Sequence, residues 1–172
     1  QYLDCEKVVG IDIDPDMVAA AGEYVSHPPK WARNIRTDNI EFLCEDATGS
    51  TFPDCYFDAV CLLFVLTHIK GWEKLISEVY RMLKEGGVFS FSEETLLPDS
   101  LFRLGKPGLC AAYELFGGTP ISEGELKATL EGSGFSIQRF EGLLSMCFVR
   151  AAKGRPVTLN SSLAGKHRTA GP

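Results

Sequence analysis

Three aspartates stand at alternate positions, Asp12, Asp14 and Asp16, directly after the apolar run "KVVGI". A proline follows Asp14, and small and apolar residues continue after Asp16. Acids in this arrangement could bind a metal ion, attack a phosphate, accept hydrogen bonds from a ribose, or cap a helix. Each possibility needs different companion residues, so the rest of the sequence has to discriminate among them.

A calcium-binding loop is one interpretation, because the three aspartates match its positions 1, 3 and 5 and Glu23 matches position 12. Position 6 of such a loop must be glycine, and Met17 stands there. A phosphatase of the haloacid dehalogenase type is another interpretation, with Asp12 as nucleophile and Asp14 as acid. The acidic pair at 45–46 comes too early in the chain for that arrangement.

A nucleoside clamp is the third interpretation. An acid that ends the second strand of a Rossmann-like unit accepts hydrogen bonds from both ribose hydroxyls, and Asp12 ends a predicted strand. Asp14 precedes Pro15, and a carboxylate followed by proline is typical of a helix start. We interpret Asp14 and Asp16 as residues of a helix N-terminus, and other motifs must decide the role of Asp12.

The hydrophobic pattern alternates between strand-like and helix-like segments. Continuous apolar runs predict buried parallel strands at 7–13 and 57–65. Further strands are predicted at 39–44 and 88–92, and strands at 135–140 and 144–151 are predicted to form a hairpin. Predicted helices occupy 15–25, 72–83 with a stop at Gly86 and Gly87, 123–130, and a short part of 96–118. This order predicts an α/β fold around a mostly parallel sheet.

Composition and charge narrow the classes of function. The chain has 172 residues, 45% of them hydrophobic, and a net charge of −6. This acidic balance argues against a nucleic-acid interface, and no apolar run approaches the roughly 20 residues of a membrane span. The 6 cysteines form no C-x-x-C pair, so we expect reduced, mostly buried thiols in a cytoplasmic protein without a metal site.

The chain divides into two predicted parts. Residues 1–152 form one α/β domain, and the polar, basic stretch 153–172 forms a disordered tail. The first residue is Gln1 and the first predicted strand follows almost at once. We therefore expect the sequence to be a piece of a longer protein.

Four stretches, in this order, carry a family resemblance: "VVGIDIDPDM", "EFLCEDATGSTFPDCYFDAVCLLFVLTHI", "SEVYRMLKEGGVFSFSE" and "ELKATLEGSGFSIQRFEG". Together they resemble the class I S-adenosylmethionine-dependent methyltransferases of the small-molecule type 11 kind, over roughly residues 7–151. The resemblance implies a Rossmann-like, doubly wound, mostly parallel sheet with a C-terminal antiparallel hairpin. It also implies S-adenosyl-L-methionine as cofactor and methyl transfer to a small-molecule acceptor, without nucleic-acid or membrane partners.

The resemblance implies cofactor-binding roles for five residues. The acid that binds the ribose hydroxyls corresponds to Asp12, with Ile13 beside the adenine. The family's "D-A" pair corresponds to Asp46 and Ala47, whose carboxylate and backbone N–H meet the adenine. Leu62 lies where the family lines the methyl-donor pocket.

The resemblance says less about which residues would bind the methyl acceptor. His68 is either a general base for a hydroxyl acceptor or a packing residue. The segment 94–122, with Phe102, Tyr113 and Phe116, corresponds to the part that often shapes the acceptor site, and its composition favours a small, partly hydrophobic acceptor.

The front of the chain departs from the family pattern. The family's first strand and glycine-rich loop have no counterpart here, since only six residues precede Lys7. Without that strand, the strands at 7–13 and 57–65 either pair directly or leave backbone groups unmet, so we expect this piece to be inactive by itself. The haloacid dehalogenase-like phosphatase and a non-catalytic, methyltransferase-like binding module remain the alternative functions.

Overall fold

A strand, a helix and a second strand form the first unit of the computed structural model, which describes residues 5–30, 36–94, 105, 107–108, 111, 115, 117–143 and 146–154. Strand β1 (Val8–Asp12) leads into helix α1 (Pro15–Ser26), and strand β2 (Ile40–Cys44) returns parallel to β1. Asp12 lies opposite Cys44, so both strands end at the same edge of this two-stranded sheet.

A second strand–helix–strand unit follows. Strand β3 (Phe57–Leu63) pairs in parallel with β4 (Leu83–Glu94), and helix α2 (Trp72–Met82) connects them. The helix buries one face, as its spacing predicts, with Trp72, Leu75, Ile76, Val79 and Met82 all buried.

The chain closes on a helix and an antiparallel hairpin. Helix α3 (Glu123–Gly132) begins with a capping box in which Ser122 and Glu125 each bond the other's backbone N–H. Strands β5 (Phe135–Leu143) and β6 (Met146–Lys153) pair with each other, and β6 also pairs antiparallel with β4. The second sheet thus has the order β3-β4-β6-β5, and the predicted hairpin is confirmed.

The core lies between this four-stranded sheet and the helices α2 and α3. Phe89 of β4 and Phe135 of β5 stack at 5.4 Å between ring centroids, and Leu126 and Leu130 of α3 are completely buried. Burial of each such side chain contributes about 1.5–3 kcal/mol. The four-stranded sheet therefore has a well-packed core of its own.

Strands β1 and β3 each have one open edge. Among the described residues β1 pairs only with β2, and β3 pairs only with β4, so the two strands do not pair with each other. The prediction that both strands are buried is wrong, because a parallel strand is enclosed only when its neighbours and covering helices are all present. Val8 is 41% exposed and Leu63 is 69% exposed.

Three predicted boundaries also differ. Helix α2 ends at Met82 rather than at Gly86 and Gly87, because Leu83 is already extended and pairs with Phe57. The glycines lie instead in the irregular first part of β4. Strand β6 runs through Lys153, which is 7% exposed, so the last element extends one residue past the predicted domain end. The predicted tail beyond residue 154, and most of the predicted short helix within 96–118, lie outside the described residues.

The expectation of mostly buried thiols is wrong. Of the described cysteines, which are all free, Cys147 is buried, whereas Cys44, Cys55 and Cys61 are exposed. Cys44 is the last residue of β2, and Cys61 lies in β3, which is paired on one side only. Cys55 lies in the loop before β3. Within the described residues, no helix is both long and apolar enough to cross a membrane.

Candidate cofactor site

Asp12 lies at the carboxyl end of β1 with its side chain exposed. One carboxylate oxygen, Oδ1, accepts a hydrogen bond from Asp14 N at 2.9 Å. The backbone oxygen of Asp12 accepts from Glu45 N at 2.9 Å, which ties the end of β1 to the residue after β2. The local turn therefore orients the exposed carboxylate of Asp12.

Asp14 caps helix α1. Its Oδ1 accepts from Asp16 N at 2.9 Å, and Pro15 occupies the first helical position. Asp16 lies in the first turn, where a negative charge interacts favourably with the helix dipole. The interpretation of these two aspartates as helix N-terminal residues is confirmed.

Ile13 presents an apolar surface between the strand ends. Its side chain is 70% exposed, although isoleucine is among the residue types most often buried. The backbone oxygen of Ile13 accepts a weak hydrogen bond from Cys44 Sγ at 3.5 Å, so the residue is held against the end of β2. This arrangement can cover one face of a flat ring.

Asp46 and Ala47 follow β2 and begin a short 3-10 turn, Ala47–Gly49. Asp46 Oδ1 accepts from Thr48 N at 2.8 Å, and this bond lowers the pKa of the Asp46 carboxyl below its ordinary value. The carboxylate is thus ionised near neutral pH and can accept further N–H donors. The N–H of Ala47 is among the first of a helical turn, and such groups have no partner within the turn.

Glu45 and Arg81 hold the loop after Ala47. The sequence patterns considered Glu45 only for the phosphatase alternative and did not single out Arg81. Glu45 Oε1 accepts from Ser50 Oγ at 2.9 Å and from Thr51 N, and the bond from Thr51 is the main reason that the pKa of Glu45 is lowered. Arg81 of α2 donates to the backbone oxygens of Ser50 and Phe52, at 3.1 and 2.8 Å.

Arg81 also forms ion pairs with Glu78 and Asp54 at 2.8 and 2.7 Å. These bonds raise its pKa further above an already high value, so the guanidinium is always charged. The loop after Ala47 is therefore anchored to helix α2. The only feature of the sequence that pointed to these contacts of Glu45 and Arg81 was the presence of an acid directly before Asp46.

The end of β3 forms the other part of the candidate site. Leu62 is half-buried and packs against the core, whereas the next side chain, Leu63, is 69% exposed. Phe64 has a φ of 56°, in the left-handed region that residues other than glycine seldom adopt, and its ring is 41% exposed. The chain turns sharply here, and its apolar side chains face outward.

His68 lies in the turn that follows β3, Leu66–His68, and is exposed. The centre of this turn is held by Glu93 of β4, a buried residue that the sequence patterns also missed. The two parts of the candidate site thus stand on different sheets. Asp12 and Ile13 stand at the end of β1 and Asp46 and Ala47 follow β2, which pairs with β1, whereas Leu62 lies in β3 of the four-stranded sheet.

The sequence profile of the methyltransferase domain family matches residues 1–91, more than half of the chain. A demethylmenaquinone methyltransferase of Bacteroides fragilis is 33% identical over 85 residues, which are 49% of this chain and 32% of the relative. A sterol 24-C-methyltransferase of Gibberella zeae is 33% identical over 86 residues, 50% of this chain and 21% of the relative. The chain thus spans about a third or less of the length of these relatives.

Solved structures show the same fold. The chain is similar to an S-adenosylmethionine-dependent methyltransferase of Methanosarcina mazei, with a TM-score of 0.67 and 23% identity over 86% of this chain and 82% of the other. The predicted fold class, an incomplete Rossmann-like sheet with a C-terminal hairpin, is confirmed. The chain belongs to the methyltransferase domain family.

Proposed function

We propose that the protein transfers the methyl group of S-adenosylmethionine to a small apolar acceptor. The observation that carries this proposal is that Asp12 ends β1, Asp46 follows the neighbouring strand β2, and the Ile13 side chain directly after Asp12 is exposed. The bond between Glu45 N and Asp12 O brings the ends of the two strands together. Two anionic acceptors beside an apolar face match the hydrogen-bonding pattern of a nucleoside.

The ribose end of the cofactor fits Asp12. A ribose offers two neighbouring hydroxyl donors, and an ionised carboxylate accepts on both oxygens. The turn at Asp14 N already orients one oxygen, so little side-chain freedom is lost on binding. Because a charge-assisted bond is worth about 1.5–3 kcal/mol, Asp12 would be the main anchor of the ribose.

The adenine end fits Asp46, Ala47 and Ile13. Adenine offers an amino donor and, next to it, a ring-nitrogen acceptor. The Asp46 carboxylate would accept from the amino group, the Ala47 N–H would donate to the ring nitrogen, and Ile13 would cover one face of the ring. The lowered pKa of Asp46 supports this role, because only the ionised form accepts with both oxygens.

The methionine end has no cradle among the described residues. No stretch of this sequence matches the family's glycine-rich loop, and β1 and β3 each have an edge that is unpaired among the described residues. We propose that a strand and glycine-rich loop from elsewhere in the whole protein join the two sheets and complete the pocket. Such a strand would satisfy the backbone groups on both open edges.

S-adenosylmethionine supplies a sulfonium-bound methyl group, which a nucleophile takes by in-line displacement while S-adenosylhomocysteine leaves with the electron pair. The residues of this chain would bind and orient rather than react. Leu62 would contribute backbone contacts near the methyl group, and the exposed Leu63 and Phe64 would exclude water from it. His68 would act as a base only if the acceptor atom is a hydroxyl oxygen.

The acceptor class rests on the segment 94–122, which lies beyond the family match at residues 1–91. Its sequence is apolar and aromatic, and the relatives named above act, by their names, on demethylmenaquinone and on a sterol. A small hydrophobic ring compound is therefore the proposed acceptor, and a reduced naphthoquinone is the first to assay. The findings give no support to the phosphatase alternative, to a non-catalytic module, or to the expected inactivity of the piece.

The proposed contact between Asp46 and the amino group of adenine can be tested by changing both the residue and the base of the ligand. In the full-length gene product, S-adenosylhomocysteine should bind about 10-fold more tightly than S-inosylhomocysteine, in which a carbonyl replaces the amino group. In Asp46→Asn, which keeps a capping side chain, this preference should shrink to about twofold or less. Calorimetric titration measures all four affinities.

The matched control is Asp54→Asn, because Asp54 is an exposed acid of the neighbouring loop that contacts Arg81. It should leave the preference for the amino group unchanged. Equal affinity of the wild-type protein for both ligands would contradict the assignment of Asp46, and no binding of either ligand would contradict the proposed function.

A further inference from the structure

Glu93 is a carboxylate to which the proposed function has assigned no role. It lies next to the last residue of β4, and its side chain is 1% exposed. Burial of a carboxylate is costly unless hydrogen bonds satisfy it. Its position is at the carboxyl ends of the parallel strands β3 and β4, which is the edge where ligands bind in α/β sheets.

The turn after β3 donates to both oxygens of this carboxylate. Glu93 Oε2 accepts from Leu66 N at 2.7 Å, and Oε1 accepts from Thr67 Oγ1 at 2.9 Å. Leu66 and Thr67 are 0% and 3% exposed, so both bonds are shielded from water. Charge-assisted bonds in such surroundings are strong and restrict the geometry of both partners.

The two ends of this turn present ring side chains. Phe64, with its φ of 56°, precedes the bonded residues, and the exposed His68 follows them. A strained backbone conformation persists only where the surrounding structure holds it. Here Ser92 O accepts from Phe64 N at 2.9 Å, and the next residue of β4, Glu93, holds Leu66 and Thr67. The end of β4 therefore fixes the backbone of the turn that carries both rings.

The same network reaches the end of the segment 94–122. The backbone oxygen of Thr67 accepts from Thr119 N at 2.5 Å. Thr119 is followed by Ile121, which is 0% exposed, and by Ser122, the cap of α3. The returning end of the segment is therefore fastened to the turn that Glu93 holds.

We propose that Glu93 is a positioning residue, which locks the turn 64–69 to the returning end of the segment 94–122 and so holds Phe64 and His68 against the methyl acceptor. This inference rests on the proposed function and deepens it on the acceptor side. Asp12 ends β1 and Asp46 follows β2, both outside the four-stranded sheet of Glu93, so the binding of the cofactor's adenosine end should not depend on Glu93.

Two matched pairs of variants of the full-length gene product test the proposal. Glu93→Leu removes both acceptors at similar volume, and Glu93→Gln keeps an acceptor for Leu66 N and a polar group for Thr67. Thr67→Val removes the hydroxyl, and Thr67→Ser keeps it. The probes are S-adenosylhomocysteine for binding, and S-adenosylmethionine with a reduced naphthoquinone for turnover.

We expect Glu93→Leu and Thr67→Val each to lower kcat by about 10–100-fold, because small displacements of positioning groups have effects of this size. The affinity for S-adenosylhomocysteine should stay within about twofold. Glu93→Gln and Thr67→Ser should restore most of the rate. The double variant should be little worse than either single one, because the two residues act through one network.

Backbone amide exchange gives a readout that needs no acceptor. In Glu93→Leu the peptides that contain Leu66 and Thr119 should exchange faster, while helix α2 should be unchanged. Wild-type rates of exchange and turnover in Glu93→Leu, with normal binding of S-adenosylhomocysteine, would overturn the role of Glu93. Failure of the wild-type protein to bind S-adenosylhomocysteine would instead overturn the proposed function.

Discussion

The stability that Glu45 and Asp46 contribute depends on pH, because hydrogen bonds lower the pKa of each carboxyl. We consider Glu45, which accepts hydrogen bonds from two residues. Its hydrogen bonds from Thr51 and Ser50 lower its pKa from the ordinary value of 4.5. A lowered pKa in the folded state means that the ionised form contributes stability above pH 4.5 or so. That contribution is lost as the pH falls through the lower folded-state pKa.

We therefore predict that Glu45→Gln lowers the free energy of unfolding at neutral pH and that the difference from wild type shrinks as the pH falls below about 4.5. Urea unfolding followed by circular dichroism at several pH values measures it. Glu23→Gln is the control, because Glu23 is an exposed acid of α1. A difference that stays constant down to pH 3 would contradict the role of Glu45.

A second prediction at the residue scale concerns the reactivity of the cysteine thiols. Burial raises the pKa of the Cys147 thiol to about 12, so at pH 8 roughly one molecule in ten thousand carries the reactive thiolate. Iodoacetamide should modify the exposed Cys55 at least about tenfold faster than Cys147, as measured by mass spectrometry of digested peptides. Equal rates of modification of the two thiols in the native protein would contradict the burial of Cys147. Modification in urea is the control, and there the two rates should be equal.

The residues that sequence reasoning identified and those it missed differ in where their partners lie. Asp12, Asp14 and Asp46 bond to backbone groups two residues away, so a local pattern reveals them. Glu93 bonds to groups 26 and 27 residues away, and Arg81 to oxygens 29 and 31 residues away. The sequence around these two residues carries no sign of such partners.

At the scale of elements, the capping of helix α1 by Asp14 can be tested by substitution. Asp14 caps α1 through Asp16 N, so Asp14→Ala should lower the free energy of unfolding by about 1 kcal/mol, within the range of 0.5–2 found for helix caps. Asp14→Asn, which keeps a capping oxygen, should cost only a few tenths of that. Both variants should bind S-adenosylhomocysteine within about twofold of wild type. Loss of binding in Asp14→Asn would show that Asp14 acts on the ligand.

The positions of the strands and helices were predictable from periodicity. Their burial and their long-range pairing were not. The apolar runs of β1 and β3 correctly indicate parallel strands, and their burial fails only because each has an open edge. The end of α2 was misplaced because glycine is a common helix stop, whereas the pairing of Leu83 with Phe57 decides it here. That pairing joins residues far apart in the chain and leaves no local pattern.

At the scale of the whole molecule, β1 and β3 each leave one edge unpaired among the described residues. Unpaired backbone groups on a strand edge exchange their hydrogens with water and can pair with a further strand. We predict that amides of β1 and β3 exchange at least about tenfold more slowly in the full-length gene product than in these 172 residues.

Strand β6 is the internal control for this comparison, because it is paired on both sides, with β4 and β5. Its amides should exchange at similar rates in both proteins. Equal exchange of β1 and β3 in the two proteins would contradict the proposal that a further strand joins the sheets.

The most direct test of the account is the affinity of the full-length gene product for S-adenosylhomocysteine, measured by calorimetry for the wild type and for Asp12→Asn. The asparagine keeps the carbonyl that accepts from Asp14 N and removes the charge proposed to hold the ribose. We predict that the wild type binds and that Asp12→Asn weakens binding by about 10–100-fold, as expected for a charge-assisted bond. Unchanged binding in Asp12→Asn, or magnesium-dependent hydrolysis of p-nitrophenyl phosphate that this substitution abolishes, would contradict the account.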